Sequence, residues 1–176
     1  MNREQILLRR IKLLIWLFII GLVLSGATAI PLQSEVNLLV NFFGSNGESS
    51  EIARWLLRVR DALAQTQMQH PFLFYGTDWL AFGHFVIALV FVGALRDPVR
   101  NRWLFDFGLI ACGLVIPFAL AFGGLRGIPF WWRLIDCSFG VFGFIPLWFS
   151  RKWTCELEML VCFKSRTDPS TGRIKL

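Results

Sequence analysis

Residues Leu13 to Ile30 form an unbroken stretch without a charged side chain. Wound as an α-helix at ~1.5 Å per residue, such a stretch covers about 27 Å, close to the thickness of a bilayer's hydrocarbon core. Three more apolar runs follow, at about 75–95, 104–122 and 134–149. A soluble fold built from such runs would lack a polar surface. A membrane fold needs none, because a helix in lipid satisfies its own backbone groups. Charged residues are only 17% of the chain, against about 25% in soluble domains. The sequence predicts an all-α integral membrane protein, a single domain over 1–176. It would have four transmembrane helices (about 13–31, 75–95, 104–122 and 134–149), with an amphipathic helix in the first extracytoplasmic loop, 33–74.

The formal net charge of +6 invites a nucleic-acid reading. That reading needs a basic stripe interleaved with solvent-facing aromatics, which the chain lacks. The positive residues instead flank the apolar runs. Thirteen Lys and Arg lie in the N-terminal segment, the 96–102 loop and the tail 150–176, against five in 33–74 and 123–133. The excess assigns the first group to the cytosol, and four spans return both termini to that side. A competing reading exists at the N-terminus. The basic start, the run Leu13–Leu24 and Ala27-Thr28-Ala29 together have the form of a cleavable secretory signal. The length of the apolar run and Pro31 just beyond the cut favour an uncleaved anchor. Gly21, Ser25 and Ala29, four residues apart, form a small-residue stripe suited to helix packing.

Within 33–74, Glu35 to Phe43 reads as a short interfacial helix and Gly44-Ser45-Asn46-Gly47 as a turn. Ser49 or Ser50 would cap a helix with Glu51 in its first turn. Ile52, Trp55, Leu56, Val59 and Leu63 recur at spacings of three and four, with Arg54, Arg58 and Asp61 elsewhere on the wheel. The apolar stripe of that helix must rest on the bilayer surface, on the bundle or on a partner. The stretch 123–129 turns the chain, and Phe130, Trp131 and Trp132 suit the level of the lipid headgroups.

Polar groups inside or near the apolar runs are the candidates for function. A charge at mid-membrane costs about 2.5–3.5 kcal/mol on insertion scales, so depth decides how much each one means. Asp78 and Asp136 lie in the first turns of their spans on the outer side. Asp106 lies likewise on the inner side, near Arg100 and Arg102. Asp136 shares a face with Gly140 and Gly143, which admit a close helix. Arg126 and Arg133 lie on the same outer side and are available to pair with it. Asp78, Asp136 and these arginines form either a structural clasp or a polar site for an ion, a headgroup or a small anionic ligand. His84 is near mid-depth on a face with Thr77, Ala81 and Ala88. The bland reading is a neutral imidazole bonded across helices, and the sharp ones are a haem ligand or a proton relay. A second membrane histidine for bis-histidine haem is missing, since His70 falls outside the spans. Asp78 is six residues from His84, ~9 Å of axial rise, so a relay between them needs a bridging group.

The four cysteines, Cys112, Cys137, Cys155 and Cys162, have no metal-ligand spacing, and no catalytic motif is visible. No metal, cofactor or catalytic residue is therefore expected. Three segments carry a family likeness: Tyr75-Gly-Thr-Asp-Trp-Leu-Ala-Phe82, Leu95-Arg-Asp-Pro-Val-Arg-Asn-Arg-Trp103 and Arg126-Gly-Ile-Pro-Phe-Trp-Trp-Arg-Leu-Ile-Asp-Cys-Ser-Phe-Gly140. They resemble a family of small four-span bacterial inner-membrane proteins of unknown function, over about residues 34–153. The resemblance implies a bacterial inner membrane and nothing about activity. Three function classes stay open. The first is a non-enzymatic accessory, scaffold or sensor component, with the bilayer and a membrane protein or second copy as partners. The second is a small-solute, ion or proton carrier using Asp78, His84 and Asp136. The third is a haem or redox subunit through His84.

Overall fold

The computed structural model describes residues 2–43 and 50–167, with side chains described to residue 163. The described residues are helical, with no strand among them. They form α1 (Arg3–Ala29), α2 (Leu32–Phe43), α3 (Glu51–Gln69), α4 (Tyr75–Arg96), α5 (Trp103–Leu125) and α6 (Phe130–Thr167), with a 3-10 turn at Pro71–Phe74 before α4. Four helical stretches are long and apolar enough to cross a membrane: Arg3–Ala29, Pro71–Arg96, Trp103–Leu125 and Phe130–Phe163. They coincide with the four expected spans. The turn expected at Gly44-Ser45-Asn46-Gly47, and Ser49, lie outside the described residues.

Two helices exceed their expected bounds. α1 starts at Arg3, ahead of the apolar run. Asn2 and Gln5 close its first turn, the Asn2 backbone N–H donating to Gln5 Oε1 at 3.3 Å, half of a capping box. α6 does not stop at Arg151 and Lys152 but runs on to Thr167. Its buried residues explain why. Gly140, Leu147, Ser150, Thr154 and Leu157 are all buried, at helical spacings that pass through the charged pair without a break. The packing face outlasts the apolar run. Pro117 and Pro146 are accommodated inside α5 and α6.

The chain divides into two compact units, Met1–Gly21 with Leu89–Leu176, and Leu22–Ala88, the boundaries falling inside α1 and α4. In the first unit, Ile11 and Ile15 of α1, Phe91 of α4, Leu104 and Phe105 of α5 and Leu147 of α6 are buried. Phe18 packs on Phe91 with ring centroids 4.8 Å apart. The α5–α6 seam is the closest contact. A Cβ on Gly140 would lie 2.6 Å from the Cys112 carbonyl oxygen, and one on Gly143 2.9 Å from Cys112 Sγ. Both glycines therefore admit α5, as their shared face predicts. A Cβ on Gly108 would in turn meet Leu147 at 2.6 Å.

In the second unit, α2 packs on α3. Val36 of α2 and Ala53 and Leu56 of α3 are buried, while Arg54 and Arg58 stay exposed. Part of the α3 apolar stripe is thus covered within the chain. Ser50 stands at the start of α3 without a side-chain capping bond. The expected contact stripe on α1 is displaced by one residue. Gly21 has nothing nearby, whereas a Cβ on Gly26 would sit 2.9 Å from the Phe85 ring and 3.0 Å from both the Ala81 carbonyl oxygen and His84 Cβ. Gly26 is the close-packing glycine, and it faces α4.

Candidate functional site

The polar residues gather in three places. The largest group lies at one end of the first unit. Arg3 Nε donates to Glu156 Oε1 at 3.0 Å, Arg102 Nη1 to Glu158 Oε2 at 2.8 Å, and Arg151 is ion-paired with Asp106. Arg10 holds its guanidinium 5.7 Å above the Trp153 ring. The start of α1, the 96–102 loop, the start of α5 and the extension of α6 therefore meet in one charged cluster. The loop within it is built from side-chain bonds. Asn101 Nδ2 donates to the Gly93 and Asp97 carbonyls at 3.0 and 2.9 Å, adding a second donor to each beside the Asp97 and Asn101 backbone N–H groups. Asp97 Oδ1 accepts the Arg100 N–H at 3.0 Å.

Asp106, which the sequence places near Arg100 and Arg102, pairs with Arg151. Both partners are about two-fifths exposed, so the pair contributes at most about 1 kcal/mol. One turn along α6, Ser150 and Thr154 are fully enclosed, and neither hydroxyl has a hydrogen-bond partner among the described residues. These residues, with Glu156 and Glu158, escape a reading based on apolar runs. The signal for Ser150 and Thr154 is the helical spacing of 143, 147, 150, 154 and 157.

The second place is the α5–α6 turn. Gly127 takes φ +69°, the left-handed conformation that glycine adopts at no steric cost. The Gly127 N–H bonds the Gly124 carbonyl at 3.1 Å and the Ile128 N–H the Gly123 carbonyl at 2.9 Å. This is a Schellman ending. Arg133 closes it, donating from Nε to the Ile128 carbonyl at 2.8 Å and from Nη1 to the Leu120 carbonyl at 3.5 Å. Its stem fills the gap above Gly123, where a Cβ would meet Arg133 Cγ at 2.8 Å. Its guanidinium lies 5.8 Å from the Phe130 ring. Arg133 is therefore engaged with the turn and makes no ion pair with Asp136. Asp136 is half-buried a turn further on, and Arg126 is exposed. Neither has an ion-pair partner among the described residues.

The third place is α4. His84 is half-buried and its Nδ1 lies 2.8 Å from the Leu80 carbonyl oxygen. A carbonyl only accepts, so Nδ1 carries a hydrogen in this bond. The bond runs along α4 itself, not across to another helix. The expected inward face is otherwise present, with Ala81 and Ala88 buried and Thr77 donating to the Phe74 carbonyl at 2.7 Å. Asp78 is exposed and has no ion-pair partner among the described residues. Among the described residues, no three His, Cys, Asp or Glu side chains converge as a metal-ligand set.

Fold and polar groups together define a class: an all-helical protein with four helices long and apolar enough to cross a membrane, three of its ion pairs joining helix ends. No family model, curated protein or solved structure matches the chain, so the family likeness of the three segments rests on their residues alone.

Proposed function

We propose that the chain is a four-span integral protein of the bacterial inner membrane with a non-enzymatic role, as an accessory, scaffold or sensor component. In this reading both termini are cytosolic and α2–α3 lie on the opposite side. One observation carries it. The charged residues of the α1 start, the 96–102 loop and the α6 extension pair with one another, while the stretches between present large apolar side chains outward. Leu13 of α1, Leu89 of α4, Ile110 of α5 and Phe142 of α6 are each about two-thirds exposed or more. Lipid is the solvent in which such a surface is stable, and a contiguous apolar patch this extensive is unusual on a soluble monomer. The burial of Ile11 and Ile15 in the first unit supports a retained α1. Removing residues 1–29 would open that core.

The non-enzymatic reading is supported by what the candidate side chains do. Arg133 closes a turn, Asp106 joins two helices, and His84 bonds its own helix. α3 carries Arg54 and Arg58 on one side and half-exposed Ile52, Trp55 and Val59 on another, a pattern suited to lying at a membrane surface. The test is a pair of reporter fusions after residues 65 and 100, with carbonate extraction of the membranes. Opposite sidedness of the two reporters, with the chain retained in the pellet, is expected. Equal sidedness or release by carbonate would refute the four-span arrangement.

A further inference from the structure

The charged end of the first unit is not balanced. Asp106, Glu156 and Glu158 are already paired with Arg151, Arg3 and Arg102. Arg9, Arg10, Lys12 and Lys152 are exposed there and have no acid partner among the described residues. Arg10 differs from the others in being placed, its guanidinium 5.7 Å above the Trp153 ring, which packs at a tilt against Phe149 with centroids 5.7 Å apart. An aromatic platform orients a guanidinium without neutralising it, leaving its N–H groups for an anion. One to two turns further along α1 the surface turns apolar, with Leu13 and Leu17 exposed, and Phe149 is exposed on α6. Unneutralised cations above an exposed apolar wall match an anionic amphiphile, whose phosphate and acyl chains need those two surfaces in that order.

We propose that Arg9 and Arg10, the latter held over Trp153, form a docking surface for the phosphate of an anionic phospholipid whose chains lie along Leu13, Leu17 and Phe149. The inference rests on the membrane reading above. It adds a lipid class and a place. Bidentate guanidinium–phosphate bonding provides the affinity, while Asp106, Glu156 and Glu158 are engaged with Arg151, Arg3 and Arg102.

The test uses the full chain in nanodiscs of equimolar phosphatidylglycerol and phosphatidylcholine with the same acyl chains. Lipid retained after gentle release is counted by native mass spectrometry. The unaltered chain should retain phosphatidylglycerol preferentially. The preference should fall by about five-fold for each arginine neutralised in Arg9→Gln and Arg9→Gln/Arg10→Gln, the factor expected for one basic residue near an anionic surface. Arg54→Gln/Arg58→Gln should leave it unchanged. Arg9 makes no side-chain bond among the described residues, so the single variant gives the answer where the double one fails to accumulate. Equal retention of the two lipids, or a preference that Arg9→Gln leaves unchanged, overturns the proposal while leaving the membrane reading intact. A chain that retains neither lipid and is absent from membranes overturns both.

Discussion

The two ends of the first unit both concentrate charge, and they use it in opposite ways. At the end holding the start of α1, cations meet carboxylates across helices: Arg3 with Glu156, Arg102 with Glu158 and Arg151 with Asp106. At the α5–α6 turn, Arg133 bonds the Ile128 and Leu120 carbonyls and makes no ion pair with Asp136, which has none among the described residues. The difference follows from what each end must join. Three separate segments converge at the first, and long charged side chains reach between them. A single chain reversal occupies the second, and Arg133 ties the carbonyls of Leu120 and Ile128 on its two sides. An exposed ion pair is worth little singly, whereas a hydrogen bond from a charged donor is worth about 1.5–3 kcal/mol. The turn end therefore depends on one residue, and the other end on none in particular.

This contrast presumes a rigid seam between the two ends, and Gly140→Val attacks it directly. The new side chain would meet the Cys112 backbone, which has nowhere to go, so a loss of roughly 3 kcal/mol or a failure to accumulate is expected. Gly113 has nothing within contact of a Cβ, and Gly113→Ala should be neutral or slightly stabilising. Thermal unfolding in detergent reads both. Next in size is Arg133→Gln, with an expected loss of about 2 kcal/mol from the two carbonyl bonds and the emptied space over Gly123. A loss equal to that of Arg3→Gln would remove the distinction between the ends.

Smaller effects sharpen it further. Asp106→Asn and Arg3→Gln should each cost about 1 kcal/mol or less, less still at high salt. Asp136→Asn should cost nothing measurable, because no arginine is released by it. Salt titration of the melting temperatures separates these cases, and a large salt-dependent penalty for Asp136→Asn would restore the clasp that its position in the sequence suggests.

Much of this was legible in the residues, and the parts that were not share a cause. The four long helices follow from apolar length alone, and the Gly140–Gly143 approach from two glycines on one face. The helix α3 was readable too, but not that α2 packs on it, since a periodicity names a face and not its neighbour. The same gap misplaces the contact stripe of α1: Gly21, Ser25 and Ala29 are small, yet Gly26 is the residue that meets α4. Apolar runs also end where lipid would end and not where packing ends, which hid the extension of α6 and its buried Ser150 and Thr154. Side chains such as Arg133 and His84 found partners on their own backbone, a local choice that the sequence offered no reason to prefer over distant carboxylates.

The central claim is that the start of α1 and the α6 extension meet at one end and on one side of a membrane. The most direct measurement is cross-linking by a short bismaleimide of Arg3→Cys with Glu156→Cys, in a chain whose four natural cysteines are replaced by serine. Intact cells are first treated with a membrane-impermeant thiol reagent. The account predicts efficient cross-linking that this pretreatment leaves unchanged and that the same reagent abolishes once the cells are opened. Absence of the cross-link in folded protein, or its loss in intact cells, would contradict it.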